Sequence, residues 1–204
     1  MLRRLLQLYI GLVLYGVSTT LFVHANLGAD PWDVFHLGVA KQLGISFGTV
    51  IILTGAAVLL LWIPIRQMPG LGTVSNVIVL GLAADATLAV LPPLESLVAR
   101  SVLLVGAIVL NAIATGMYIG AGFGPGPRDG LMTGLHARTG WSLRGIRTAI
   151  ELTVLVIGWL LGGKFGVGTV IYALSIGPLI QLCLPWFRQP VSRKAVSTPQ
   201  EIVS

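Results

Sequence analysis

Two segments of the sequence repeat each other at a constant offset of 96 residues. Residues 25–38 read ANLGADPWDVFHLG, and residues 121–134 read AGFGPGPRDGLMTG. Identities at the same offset continue downstream: Gly44, Ser46, Gly70, Gly72, Thr73, Val74 and Gly81 match Gly140, Ser142, Gly166, Gly168, Thr169, Val170 and Gly177. A constant offset over this length indicates a duplicated chain. In each copy, a polar segment broken by glycine and proline lies between apolar runs.

The composition indicates which class of protein such a duplication can form. The 204 residues are 55% hydrophobic and only 10% charged, whereas soluble domains carry roughly 25% charged residues. The apolar residues form runs of about twenty, which as helices cross a hydrocarbon core of about 30 Å. We therefore expect an all-α, multi-pass membrane protein. The net charge of +6 does not indicate a nucleic acid, because the basic residues lie at the ends of apolar runs and in the C-terminal tail.

Six apolar runs are predicted to span the bilayer, three in each copy of the repeat. They cover residues 5–24, 48–63, 73–91, 101–120, 148–161 and 169–184. A short segment follows the first span of each copy, at residues 31–42 and 127–138. Twelve helical residues measure about 18 Å and cannot cross. Each segment is expected to be a half-helix that either enters the membrane and returns or lies at its surface.

An odd number of spans in each copy predicts that the second copy is inverted in the membrane. With the N-terminus inside, ten basic residues fall on the inner side and three on the outer side, in agreement with the positive-inside rule. Eight spans would divide the charges equally well, but the two short segments are too short to span. The predicted division is a first repeat at 1–93, a second at 94–187, and a disordered, basic cytoplasmic tail at 188–204.

Asp33 and Asp129 are equivalent in the repeat and lie near the starts of the two short segments. An ionised carboxylate inside a bilayer costs about 2.5–3.5 kcal/mol, so such residues often serve a function. One hypothesis is that both line a polar site between the repeats, together with His36 of the first segment. The alternative is that each carboxylate caps its own half-helix by accepting backbone N–H bonds.

Three further residues complete the candidate solute site. Arg128 stands where the first copy has Trp32, and it is predicted either to hold an anion beside the helix start or to pair with Asp129 or the lipid headgroups. Trp32 is expected to be an interfacial anchor more than a stacking surface. Asp85 is predicted deep in the third span, opposite Gln181, as part of a solute path or as a proton carrier.

Other features of the sequence predict structure rather than chemistry. Arg147 and Glu151 are spaced for an ion pair within one helix. The paired glycines at 70, 72, 166 and 168 are expected to let helices pack closely, with a plain turn as the alternative. No metal, cofactor or enzymatic activity is expected, because the histidines and the single Cys183 lack metal-ligand spacing and no nucleophile–base pattern occurs.

The stretches LGADPWDVFHLG, PGLGTVSN, GPRDGLMTGL and GKFGVGTVIYALSIGP resemble the YczE/YitT-type integral membrane proteins of bacteria. The resemblance covers residues 9–185. Its paired motifs are PWD, met by Trp32 and Asp33, and PRDG, met by Arg128, Asp129 and Gly130. It implies a bacterial plasma-membrane protein of a family associated with transport or export, with no defined substrate.

These observations lead to one expected function and two alternatives. The expected function is a small-molecule transporter or exporter, with a site at the repeat interface that favours an anionic or zwitterionic solute. The alternatives are a passive channel and a non-transporting membrane partner or assembly subunit. The expected partners are the lipid bilayer, the solute and, as an open alternative, further copies of the chain.

Overall fold

A computed structural model describes residues 1–188, and within that range it contains eight α-helices and no strand. The helices are α1 (Leu2–Ala25), α2 (Pro31–Leu43), α3 (Phe47–Ile65), α4 (Leu71–Leu88), α5 (Leu97–Gly120), α6 (Pro127–Thr139), α7 (Leu143–Leu160) and α8 (Val167–Phe187). The all-α class and both short helices are thus confirmed. The predicted tail at 188–204 lies, apart from its first residue, outside the described residues.

Five of these helices are long and apolar enough to cross a membrane, namely α1, α3, α4, α5 and α8. The chain is accordingly a multi-pass integral membrane protein. The remaining predicted span, at residues 148–161, falls on α7, which has 18 residues but carries Arg144, Arg147 and Glu151. Two prolines that were predicted to end spans lie instead inside the last turns of α3 and α8. A proline there displaces only a carbonyl of the preceding turn, so the helix can continue briefly.

The two longest helices, α1 and α5, pack antiparallel, and the ends of each are held by the other. Arg4 at the start of α1 donates from Nε to the carbonyl of Ala121 at the end of α5, at 3.0 Å. Arg100 at the start of α5 donates from Nε to the carbonyl of Ala25 at the end of α1, at 2.7 Å. The two contacts are related by the repeat, because Arg100 and Ala121 lie 96 residues after Arg4 and Ala25. Each guanidinium satisfies a carbonyl that the helix end leaves without an intrahelical partner.

The loops that follow α1 and α5 also make equivalent contacts. The backbone N–H of Gly72 donates to the carbonyl of Phe123 at 2.9 Å, and that of Gly168 donates to the carbonyl of Leu27 at 2.8 Å. A Cβ at Gly168 would lie 2.6 Å from the carbonyl oxygen of Gly28. The paired glycines therefore seat a loop against the start of α4 or α8, rather than bringing two helices together as predicted.

The short helices pack against long helices of the opposite repeat. α2 lies along α7, where the backbones of Gly38 and Gly158 approach so closely that neither position has room for a side chain. α6 lies along α3, where the indole of Trp62 covers Gly130 and donates from Nε1 to the carbonyl of Pro127 at 3.0 Å. Both short helices are therefore enclosed by longer ones, and their starts are directed to the interior of the bundle.

The last two helices of the two repeats pack differently. α3 and α4 are in backbone contact at Gly48 and Gly81. The position equivalent to Gly48 on α7 is Arg144, and no other helix within residues 1–188 comes within 4 Å of a Cβ at Gly177 on α8. The predicted face of small residues is thus a helix contact at Gly81 and not at Gly177, because an arginine replaces the glycine that would have to oppose it.

Candidate functional site

The starts of α2 and α6 meet in the interior of the bundle. Asp30 is the N-cap of α2, and its Oδ1 accepts the backbone N–H of Asp33 at 2.8 Å. Arg128, the second residue of α6, places Nη1 3.8 Å from Oδ2 of Asp30. Its guanidinium also lies over the ring of Trp32, 4.6 Å from the centroid. The two halves of the chain therefore contribute to one polar group of residues, which we call the junction cluster: Asp30, Trp32, Arg128 and Asp129.

The local sequence explains why α2 begins where it does. An aspartate followed by proline is a strong helix start, because the carboxylate accepts a free N–H and proline needs no hydrogen bond in the first turn. The second copy has Gly126 before Pro127, so α6 has no side-chain cap. Asp30 is the residue of the site that the sequence analysis missed, although the Asp-Pro pair signals it.

Neither Asp33 nor Asp129 caps its helix, which corrects the capping hypothesis. Oδ1 of Asp33 lies 3.3 Å from Nδ1 of His36, and both side chains are only 1% exposed. Oδ2 of Asp33 is buried and has no hydrogen-bond partner within residues 1–188. Asp129 accepts the hydroxyl of Tyr118 at 3.0 Å. A capping carboxylate must stand before the first turn, and both residues stand inside it.

The junction cluster borders a cavity of about 100 Å³. A cavity of this size can hold several waters or a small solute. Its wall includes four aromatic side chains: Tyr15, Trp32, Tyr118 and Tyr172. Its charged lining consists of Asp30, Arg128, Asp129, Arg147 and Glu151. The tyrosines were not predicted, although a tyrosine within a long apolar run is a recognisable signal for a polar site.

The structure brings four of the six predicted site residues to this cavity: Trp32, His36, Arg128 and Asp129. Trp32 is only 5% exposed, so it is a stacking surface for Arg128 and not an interfacial anchor. Arg128 pairs with Asp30 across the repeats, not with Asp129 as one alternative held. Asp33 lies beside the cavity, in contact with His36.

Asp85 lies outside this cavity. It stands three residues before the end of α4 rather than deep in the span. Its carboxylate accepts the hydroxyl of Ser46 at 2.5 Å and the backbone N–H of Gly48 at 2.7 Å. These contacts join the end of α4 to the start of α3, which is a structural role.

The predicted ion pair on α7 is confirmed. Nε of Arg147 lies 2.8 Å from Oε1 of Glu151. Both residues also line the cavity, so this local pair contributes charge to the same polar interior. Their equivalents in the first repeat, Ile51 and Gly55, line it as well. The wall contributed by α7 is therefore charged, whereas the wall contributed by α3 is largely apolar.

Comparison with known proteins gives a consistent family match. The family of unknown function DUF6198 matches residues 2–185. An uncharacterized protein of Haemophilus influenzae is 37% identical over 177 residues, which cover 87% of this chain and 81% of the relative. The uncharacterized membrane protein YczE of Bacillus subtilis is 33% identical over 180 residues, covering 87% and 83%. No solved structure matches the chain.

Proposed function

The chain belongs to DUF6198, a family of unknown function, and is related to the membrane protein YczE. Its function must therefore be inferred from its own site, and we propose that it is a small-molecule transporter. The proposed solute site is the cavity at the junction cluster. The observation that carries the proposal is the pairing of Arg128 from α6 with Asp30 and Trp32 from α2. The starts of the two short helices, α2 and α6, thereby face one enclosed polar space.

Helix starts and charged side chains are suited to hold a polar solute inside a membrane. The free N–H groups and the dipole of a helix start attract acceptor atoms. Secondary transporters commonly bind solutes where such half-helices from two repeats face each other. Buried charges are costly and seldom retained for stability alone. An anionic or zwitterionic solute suits a site that contains Arg128 and two helix starts.

The proposed transporter has six spans, formed by α7 together with the five long apolar helices, and the second repeat is inverted relative to the first. The antiparallel packing of α1 and α5 and the equivalent contacts of Arg4 and Arg100 support this arrangement. The charges on α7 are tolerable in a span because Arg147 and Glu151 pair with each other and line the cavity. We place the protein in the bacterial plasma membrane with both termini in the cytoplasm.

The proposed orientation predicts which loops an impermeant maleimide can label on intact cells. In a Cys183→Ala background, Glu95→Cys should be labelled from outside, and Met68→Cys should be labelled only after permeabilisation. Both positions are suitable because both side chains are exposed. Labelling of Glu95→Cys only after permeabilisation would refute the proposed orientation, and labelling of both positions from outside would refute the inverted arrangement.

Transport itself is tested with the purified protein in liposomes. Uptake of a panel of small labelled anions and zwitterions should saturate with concentration and follow an imposed gradient for at least one member. Flux that rises linearly with concentration would favour a passive channel. Absence of flux, together with a stoichiometric protein that co-purifies, would favour the non-transporting alternative.

A further inference from the structure

Arg128 carries more hydrogen-bond donors than the protein uses. Its guanidinium is a planar fork of N–H groups, and its side chain is 24% exposed where it lines the cavity. Its contact with Asp30 spans 3.8 Å, beyond hydrogen-bond distance, and no side chain or carbonyl within residues 1–188 accepts a hydrogen bond from it. A guanidinium with a free edge suits a carboxylate, which it can bind through two parallel hydrogen bonds.

Trp32 supplies a second unused donor beside the first. Its Nε1 is buried and has no acceptor in the described part of the chain, although the indole lines the cavity. Buried indole N–H groups normally find a partner, because an unpaired buried donor is costly. This unpaired donor lies next to the guanidinium that stacks on the same ring. The two donors together indicate a ligand with acceptor oxygens.

The charge balance of the cavity argues against a simple anion. Three carboxylates and two guanidiniums line it: Asp30, Asp129, Glu151, Arg128 and Arg147. Two of the carboxylates are paired with the two guanidiniums. Asp129 forms no ion pair within 4 Å among the described residues, and only the hydroxyl of Tyr118 donates to it. A solute that brings only negative charge would leave this carboxylate uncompensated.

On the premise of the transport function proposed above, we propose that the solute is a small zwitterion. Its carboxylate binds Arg128 and the indole N–H of Trp32, and its cationic nitrogen faces Asp129. The tyrosines in the cavity wall add aromatic faces, which attract an ammonium group. Neither an anion nor a cation alone satisfies both the unused donors and the uncompensated carboxylate. A zwitterion satisfies both with no net charge added.

Binding to the purified full-length protein in nanodiscs tests this assignment. The probes are glycine and its N-trimethyl derivative, glycine betaine, with acetate and tetramethylammonium as the separate halves, each titrated by calorimetry. We expect at least one zwitterion to bind about tenfold more tightly than either half, because a site built for polar contacts rejects analogues that lack them. Equal or tighter binding of acetate or of tetramethylammonium would overturn the assignment, and so would absence of binding by both zwitterions.

Two conservative variants test the named contacts. Trp32→Phe keeps an aromatic ring under Arg128 but removes the N–H, so it should weaken zwitterion binding and leave tetramethylammonium binding unchanged. The matched control is Trp159→Phe, which alters a 61% exposed residue of α7. Asp129→Asn still accepts the hydroxyl of Tyr118, and it should weaken both zwitterion and tetramethylammonium binding. Unchanged zwitterion binding in both variants would overturn the assignment.

The binding result is separable from the transport result. Zwitterion binding without flux in liposomes would keep the ligand assignment and reject the transporter. Saturable flux of an anion or a cation, with no zwitterion bound, would keep the transporter and reject the ligand assignment.

Discussion

Replacing Gly158 by leucine is expected to remove most of the folded protein. Gly158 of α7 lies directly on the backbone of α2, and a Cβ there would be 2.7 Å from the carbonyl carbon of Val34. Backbone atoms cannot rotate away as a side chain can. Overpacking usually costs about 1–3 kcal/mol, and more where backbone cannot yield, which is a large part of the stability of a typical domain. The measurement is the yield of monodisperse protein in detergent and its thermal midpoint.

Gly106→Leu is the matched control for that loss. Gly106 lies within α5, and no other element of the described residues comes within 4 Å of a Cβ at its position. Its backbone is also helical, so leucine should be tolerated or mildly stabilising, by about 0.5–1 kcal/mol. A Gly158→Leu protein with the yield and thermal midpoint of the Gly106→Leu protein would show that α2 and α7 do not pack as described.

Arg128→Ala is expected to reduce saturable uptake in liposomes by about 100-fold, since removal of one member of a desolvated charge pair typically costs 2–5 kcal/mol. Arg128→Lys keeps the charge but loses the planar fork, so a loss of about tenfold is expected. Arg138→Ala is the control, because it removes an exposed arginine from the last turn of the same helix. The measurement is initial uptake rate at matched protein content.

A charge-matched double variant separates loss of function from loss of fold. Arg128→Ala leaves Asp30 without its cationic partner and is expected to lower the thermal midpoint. Combining it with Asp30→Asn removes that uncompensated charge and keeps a side chain that can cap α2. We expect the double variant to regain thermal stability and to remain inactive. Uptake that recovers along with stability would mean that Arg128 serves only the fold.

Local rules were sufficient to predict the short helices. Each begins with proline and is followed by glycine at its end, at Gly44 and Gly140, so its bounds depend on nearby residues alone. The same rules could have identified Asp30, because an Asp-Pro pair marks a helix start more specifically than the aspartate inside the first turn. The predicted start at residue 31 agrees with α2, and only the capping residue was misassigned, to Asp33 instead of Asp30.

Contacts between the two repeats were only partly predictable. The equivalence of Arg4 and Arg100 follows from extending the 96-residue offset towards the N-terminus. The stacking of Arg128 on Trp32 could not be predicted, because the two residues are equivalent by repeat and nothing local indicates that equivalent positions touch. The contact depends on how the starts of α2 and α6 pack against each other, and the sequence carries no local signal for that packing.

Asp85 illustrates how sensitive a site assignment is to helix register. Successive residues of an α-helix are rotated by about 100°, so a carboxylate in an apolar helix can face either a cavity or a neighbouring helix end. Hydropathy places Asp85 in a predicted span but gives no information about which face it occupies. The structure places it on the start of α3, where it accepts hydrogen bonds from Ser46 and Gly48.

Trans-stimulation in liposomes tests most directly whether the junction cluster belongs to a carrier. Vesicles that contain the wild-type protein are preloaded with an unlabelled zwitterion, and the initial entrance of the same labelled solute is measured. If the binding site of a carrier changes sides faster when it is occupied, the initial rate of labelled uptake should be higher in preloaded than in empty vesicles. Arg128→Ala should abolish this difference. Equal rates in both kinds of vesicle, with flux linear in concentration and unaffected by Arg128→Ala, would contradict a carrier site between α2 and α6.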